Sequence, residues 1–445
     1  MKKHMLEITV FFCGAVVMIY EIVGSRVVAP YFGTSIYVWT SLIGVILASL
    51  SLGYWLGGKL ADKNPTYRQL AYIIFGSAMF IIVSVTLKDL ILNFLSGSFN
   101  GMMWRSLFAA VLIFAPASIF LGMVSPYAVR LKIRDVKSSG KTVGNLYAIS
   151  TIGSILGTFL AGFLLIPLIG TANIMYSLAA LLSVLAFTLY VAFMGKGDSI
   201  FFFIVFIAAG YGLYEENTLT KEFVEADTRY NHVQIFDMDY WITGERIKVM
   251  KVNDEYSSAM FPDSDSLVYE YLRYFRLAEH FNPGFRNALM IGGAAFSYPR
   301  YFLDRYPDAN IDVVEIDPGL TRLAKEHFRL LENARMRIFH EDGRTFLNRQ
   351  EGKYDLILGD AYKSLLAVPF QLTTLEATKR KFDLLSDDGI VIENIIASLD
   401  GPASAFLKAE IATIRKIFPQ VYIFACHDPL DPQLLQSITL VALKS

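Results

Sequence analysis

The sequence predicts two structural classes in one chain. Residues 1–215 read as an α-helical multi-pass membrane domain, and residues 263–445 as an α/β domain with a mainly parallel sheet. A small β-stranded subdomain at 216–262 separates them. Three observations lead there. The 445 residues are 54% hydrophobic, with a mean hydropathy of +0.43, well above an ordinary soluble chain. Charge is sparse up to Glu215 and normal beyond it. From about residue 287, short apolar runs alternate with helix-like segments, the pattern of a sheet covered on both faces.

A membrane span needs roughly 20 apolar residues. About seven hydrophobic helices fit, near 6–28, 38–61, 67–87, 104–128, 145–167 and 171–194, with a shorter one at 199–214. Small residues recur at helix-packing spacing, as in Ser49, Gly53 and Gly57 or Gly153, Gly157 and Ala161. They let helices approach closely in lipid. Basic residues gather in two loops, Lys59, Lys63 and Arg68, then Arg130, Lys132, Arg134, Lys137 and Lys141. By the positive-inside rule both loops face the cytoplasm. The apolar run after the N-terminus lacks a small-residue cleavage site, so it reads as a first span rather than a signal peptide.

Residues 1–215 hold 14 lysines and arginines against 7 acids, and the remainder holds 26 against 34. The near-neutral chain therefore joins a basic membrane half to an acidic soluble half. That acidic balance disfavours nucleic acid and suits a cationic ligand. The two cysteines, Cys13 and Cys426, form no CxxC or Cys/His spacing, so neither a disulfide framework nor a metal site is expected.

In the soluble half, "HVQIFDM", "ERIKVMKV" and "SAMFPD" read as short strands with turns between them. The parallel-sheet strands are "NALMIGG" (287–293), "IDVVEID" (311–317), "RMRIFHED" (335–342), "YDLILGD" (354–360) and "GIVIENI" (389–395). "QVYIFA" (420–425) and "SITLVAL" (437–443) follow as a final pair. Ligands bind such sheets at the carboxyl ends of the strands, near the switch point. Four strands end there in Gly292-Gly293, Glu315-Ile316-Asp317, Asp342-Gly343 and Gly359-Asp360. A carboxylate ending the second strand is the usual partner of ribose hydroxyls. A glycine turn lets a ligand approach the backbone, and Asp342 can accept from an adenine amino group. No GxGxxG is present, so the pattern favours a nucleoside over a dinucleotide pyrophosphate.

"YNHVQIF" (230–236), "LVYEYLRY" (267–274), "NALMIGGAAF" (287–296), "VVEID" (313–317), "HEDGRTFL" (340–347) and "YDLILGDAY" (354–362) occur in one order. Residues 220–445 resemble the spermidine synthase-like aminopropyltransferases, and the membrane half is similar to that group's transmembrane members. The resemblance implies a class I methyltransferase-like Rossmann domain behind a small β subdomain. It implies aminopropyl transfer from decarboxylated S-adenosylmethionine to an amine such as putrescine, releasing 5′-methylthioadenosine. Asp360 would hold the amine and take its proton, with Tyr269 beside the reacting amine. Glu315 would bind the ribose, Asp342 and Gly343 the adenine side. Gly292, Gly293 and Asp317 complete the nucleoside site, with Tyr230 and Asn231 near the thioether.

Three positions depart from the family pattern. The glycine loop is Gly-Gly-Ala-Ala-Phe, without the family's acidic residue. Tyr269-Glu270-Tyr271 replaces Tyr-His-Glu, and Lys363 or a neighbour aligns with a second aspartate that holds the acceptor's far ammonium. Further expectations are no prosthetic group, decarboxylated S-adenosylmethionine or S-adenosylmethionine as co-substrate, and a small amine, the bilayer and a homo-oligomer as partners. The location expected is the inner membrane, with the soluble domain in the cytoplasm. The alternatives are an S-adenosylmethionine-dependent methyltransferase and a non-catalytic polyamine or nucleoside binding or transport protein.

Overall fold

The computed structural model describes residues 4–32, 36–98, 102–133, 139–194, 202–218, 223–253, 255–362 and 368–445. The chain divides into two compact units, Met1–Lys221 with Glu225–Thr228, and Glu222–Val224 with Arg229–Ser445. The first unit's long segment ends six residues beyond Glu215, the boundary expected from charge.

Among the described residues, the first unit holds six helices long and apolar enough to cross a membrane. They are α1 (Met5–Phe32), α2 (Ile36–Lys63), α3 (Tyr67–Ser98), α4 (Met102–Lys132), α5 (Ser139–Ile169) and α6 (Thr171–Met194). The seventh apolar segment forms α7 (Phe202–Thr218), which has 17 residues and is short of a full span. Helix α2 packs on α4, α1 on α5, and α3 on α4 and α6. The small residues sit at these seams. A Cβ on Gly57 would lie 2.6 Å from the Met123 backbone, and one on Gly122 2.6 Å from the Leu50 carbonyl. Some polar groups within the bundle are paired: Tyr20 donates to the Ile113 carbonyl at 3.1 Å, and Lys132 binds Glu7. Trp39, Leu47 and Trp55 of α2 point outward.

A small sheet in the order β1-β2-β3-β4 comes next along the chain, with β2 to β4 in the second unit. Its strands are β1 (Phe223–Asp227), β2 (His232–Asp239), β3 (Arg246–Val252) and β4 (Glu255–Met260). The pairs β2–β3 and β3–β4 are antiparallel. Two short helices follow, α8 (Glu270–Tyr274) and α9 (Leu277–Phe281).

The main sheet comprises β5 (Asn287–Ile291), β6 (Asn310–Val314), β7 (Met336–Phe339), β8 (Tyr354–Gly359), β9 (Leu385–Ala397), β10 (Gln420–Ala425) and β11 (Gln436–Leu443). Their order is β10-β11-β9-β8-β5-β6-β7. Strands β5 to β9 run parallel, β11 runs against β9, and β10 against β11. All seven expected strands are present, and the arrangement is the methyltransferase-like Rossmann fold. Helix α10 (Ser297–Arg305) follows β5, α11 (Pro318–His327) follows β6 and α12 (Gly343–Arg349) follows β7. Helix α13 (Leu375–Leu384) precedes β9, and α14 (Ala405–Ile414) follows it. One core joins Leu289, Ile357 and Val391 of the strands to Phe346, Leu384 and Leu407 of α12 to α14. Each fully buried side chain contributes roughly 1.5–3 kcal/mol. This core fixes the strand ends that carry the polar residues. The chain order reverses between β5 and β8, so the switch point lies between Gly292 and Asp360.

Candidate active site

Gly292 ends β5 with φ +96°, a conformation that glycine adopts without steric cost. Its amide donates to the Val314 carbonyl at 2.9 Å. A Cβ there would lie 2.7 Å from the Asp360 carbonyl carbon. The turn after β5 therefore runs against the backbone of Asp360. The amides of Gly293 and Ala294 both donate to Glu315 Oε2, at 2.9 and 3.0 Å, and the Asp317 amide donates to Oε1 at 2.9 Å. Glu315 thus clamps the glycine loop to the end of β6. Its burial outweighs those three N–H groups and raises its pKa.

The loop itself is strained. Ala294 and Phe296 have φ of 43° and 58°, left-handed values that cost non-glycine residues about 1–3 kcal/mol. Packing holds them: Phe296 is fully buried with its ring under Gly293. The Ala295 amide donates to Ser258 Oγ at 3.2 Å, and Ser297 Oγ to the Ala259 carbonyl at 3.0 Å. Strand β4 therefore braces the loop from the small sheet.

Asp317 and Asp342 are helix caps. Asp317 Oδ1 accepts from the Gly319 amide at 2.9 Å at the start of α11, and Oδ2 from Asn231 Nδ2 at 2.8 Å. Asn231 in turn accepts from Asn253 Nδ2 at 3.1 Å. The two predicted residues Asn231 and Asp317 are thus brought together and bonded to each other. Asp342 Oδ1 accepts from the Thr345 amide at 3.0 Å, opening α12, and Oδ2 accepts from Gln371 Nε2 at 3.1 Å. A Cβ on Gly343 would lie 2.7 Å from Ile291 Cγ2, so α12 sits directly against the end of β5.

Asp360 stands at the end of β8, its amide donating to the Ile291 carbonyl at 2.9 Å. Tyr271 OH donates to Oδ2 and Asn394 Nδ2 to Oδ1, each at 3.0 Å. Burial lifts its carboxyl to about 6, against the pull of those two donors. Each oxygen keeps a lone pair for another donor. Tyr362 braces the rear: its hydroxyl donates to the Asn394 carbonyl at 2.8 Å and accepts from the Ile396 amide at 2.9 Å.

Tyr271 and Asn394, which sequence reasoning missed, are therefore the side chains that touch Asp360. Tyr269 stacks on Tyr271, with ring centroids 6.3 Å apart, and its own hydroxyl is buried without a partner. A signal for Asn394 was present. It is a polar residue inside an apolar strand, and Glu393 pairs with Gly359, which sets Asn394 level with Asp360. Among the described residues, no group of three or more His, Cys, Asp or Glu side chains is arranged to hold a metal. Lys363 lies outside the described residues.

Residues 270–441 match the spermine/spermidine synthase domain. The match lies within the second unit. The polyamine aminopropyltransferase of Vibrio vulnificus is 29% identical over 184 residues, 41% of this chain and 57% of that protein. The enzyme of the same name from Streptococcus uberis is 32% identical over 184 residues, 39% of this chain and 61% of that one. The chain spans about half the length of the first curated relatives it matches. A probable spermidine synthase from Corynebacterium glutamicum superposes with a TM-score of 0.43 at 23% identity, over 48% of this chain and 77% of that one.

Within the second unit Glu315 gives the clearest binding test. A charge-assisted hydrogen bond contributes roughly 1.5–3 kcal/mol, and Gln at 315 retains only one acceptor oxygen for loop and ligand. Glu315→Gln is expected to weaken methylthioadenosine binding at least about 10-fold, and 5′-methylthio-2′-deoxyadenosine less. Calorimetric titration checks this. Equal losses for the two nucleosides would show that Glu315 serves the loop and does not read the sugar.

Proposed function

We propose that this chain is a membrane-bound aminopropyltransferase that moves an aminopropyl group from decarboxylated S-adenosylmethionine to an amine. The observation that carries it is Asp360, a half-buried carboxylate held by two neutral donors at the switch point of a synthase domain. The acceptor amine arrives as an alkylammonium with a pKa near 10.4 and is not nucleophilic until it loses a proton. Asp360 is ionised at pH 7, so it attracts the cation and takes that proton. Lifting an aspartate from about 3.9 to about 6 reduces the uphill proton transfer by about 3 kcal/mol.

The freed nitrogen lone pair then forms a C–N bond at the aminopropyl carbon beside the sulfonium. The C–S bond breaks, its electron pair returns to sulfur, and neutral methylthioadenosine leaves. Glu315 and the glycine loop hold the nucleoside, and Tyr271 and Asn394 fix the carboxylate. The direct test incubates the full-length protein with donor and a panel of amines. Methylthioadenosine and an amine heavier by one aminopropyl unit are expected in equal amounts. Binding of the donor without either product would remove the transfer reading.

One observation favours a second reading. Ala295 stands in the loop where the family has an acid for the donor's ammonium, and it is fully buried. A site without that acid suits the carboxylate of S-adenosylmethionine, and methyl transfer would follow.

The location proposed is the inner membrane, with the synthase domain on the cytoplasmic side, where the donor is supplied. Six full helices return the chain to its starting side, and the 17 residues of α7 are few for a further crossing. Of two reporters fused after Ser445, the one that fluoresces only in the cytoplasm is expected to be active. Activity of an outside-only reporter alone would reverse the orientation.

A further inference from the structure

The turn after β3 starts a chain of side-chain amides that leads to the nucleoside loop. Asn253 follows Val252, the last residue of β3, with φ 57°, a left-handed value that asparagine tolerates better than most residues. Its amide donates to the His232 carbonyl at 2.7 Å, and its Oδ1 accepts from the His232 amide at 3.1 Å. Main chain and side chain of Asn253 thus both grip the first residue of β2. With Oδ1 taken by an N–H group, Nδ2 is the side that faces Asn231, and it donates to Asn231 Oδ1 at 3.1 Å. Asn231 then turns its own Nδ2 to Asp317 Oδ2, at 2.8 Å.

The direction of this chain matters because it ends on a carboxylate. Asp317 is fully buried, and an ionised carboxylate accepts hydrogen bonds but donates none. An Asn231 amide turned the other way would set its oxygen against Asp317, acceptor against acceptor. The Asp317 amide in turn holds Glu315 Oε1 at 2.9 Å. On the other side of Glu315, Ser258 of β4 holds the glycine loop through the Ala295 amide. The β3–β4 hairpin therefore reaches the nucleoside loop at two places, and Asn253 governs one of them.

We infer that Asn253 is a positioning residue for the nucleoside site: it orients the Asn231 amide so that nitrogen, not oxygen, meets Asp317. The inference rests on the reading of this site as a nucleoside site. Two roles for Asn253 can be told apart. As a turn residue alone it needs only to adopt φ 57°, which asparagine, aspartate and glycine all do. As the orienting residue it must also donate from Nδ2, and an ionised aspartate has no donor. Asn253→Asp keeps an acceptor oxygen for the His232 amide, so it changes the donor and the charge while preserving the turn.

The experiment titrates methylthioadenosine into the detergent-solubilised full-length wild type, Asn253→Asp and Asn253→Gly, between pH 8 and pH 5. At pH 8 Asn253→Asp is expected to bind at least about 10-fold more weakly than the wild type, the range for a hydrogen bond to a charged group. Asn253→Gly, which keeps the turn and sets no charge beside Asn231, should lose less. The Asn253→Asp loss should shrink as pH falls, because a protonated carboxyl regains an O–H donor for Asn231. Asp317, the like charge beyond Asn231, raises the pH at which this happens. His232 and Glu315 are common to both proteins and cancel in the ratio of affinities. Wild-type binding by Asn253→Asp at pH 8, or a loss that is the same at pH 5, would overturn the positioning role. A wild type that binds no methylthioadenosine would instead remove the nucleoside reading, and the inference with it.

Discussion

Asp360→Asn is expected to lower turnover at least about 10²-fold, the lower range for losing a positioned proton acceptor, while methylthioadenosine affinity changes little. Asparagine keeps the shape and one acceptor oxygen, so it retains one of the contacts from Tyr271 and Asn394 and turns a donor toward the other. It loses the charge that attracts the alkylammonium and the basicity that deprotonates it. The same residue sets a pH dependence. With its carboxyl at about 6 in the free protein, kcat/KM should fall as pH drops through about 6, because the protonated form can neither hold the cation nor accept its proton. The limb should vanish in the variant. Stability moves the other way. A carboxyl whose folded value is raised costs stability as pH climbs from the unfolded value, about 3.9, to about 6. Asparagine therefore restores at most about 3 kcal/mol at pH 7, read as a higher midpoint of thermal denaturation. A variant that is both inactive and much less stable would make Asp360 a structural residue.

Gly292→Ala should be the most damaging substitution in the nucleoside loop. Alanine at φ +96° carries a backbone penalty of about 1–3 kcal/mol. Its Cβ would also overlap the Asp360 carbonyl group, so the end of β8 must move. The expected results are a stability loss of about 3 kcal/mol or more, at least about 10²-fold weaker methylthioadenosine binding, and loss of turnover. Gly401→Ala is the control. Gly401 has φ +80°, and no atom lies within 4 Å of where its Cβ would stand, so it carries the backbone penalty alone. Equal losses for the two variants would show that the overlap with Asp360 is unimportant.

The strands and the four polar strand ends were legible in the sequence because parallel strands are continuous apolar runs and the ligand face follows from topology. The partners of Asp360 were not. Tyr271 reaches it from α8, 89 residues earlier, and Asn394, marked in sequence only as a polar residue inside an apolar strand, reaches it through a strand register that no local pattern encodes. The roles of Asp317 and Asp342 were read only as ligand contacts. Both open helices, and Asp317-Pro318-Gly319 carries the signature of a capped helix start with proline in its first turn. Strand β1 was not expected, since "FVEAD" has only two large apolar residues.

The most direct test is one calorimetric comparison on the full-length protein. S-adenosylmethionine, its decarboxylated form and methylthioadenosine are titrated in turn at pH 7. The aminopropyl-transfer account predicts that methylthioadenosine and the decarboxylated donor bind, and that S-adenosylmethionine binds at least about 10-fold more weakly, a difference of about 1.4 kcal/mol. Tight binding of S-adenosylmethionine with weak or absent binding of the decarboxylated donor would contradict it.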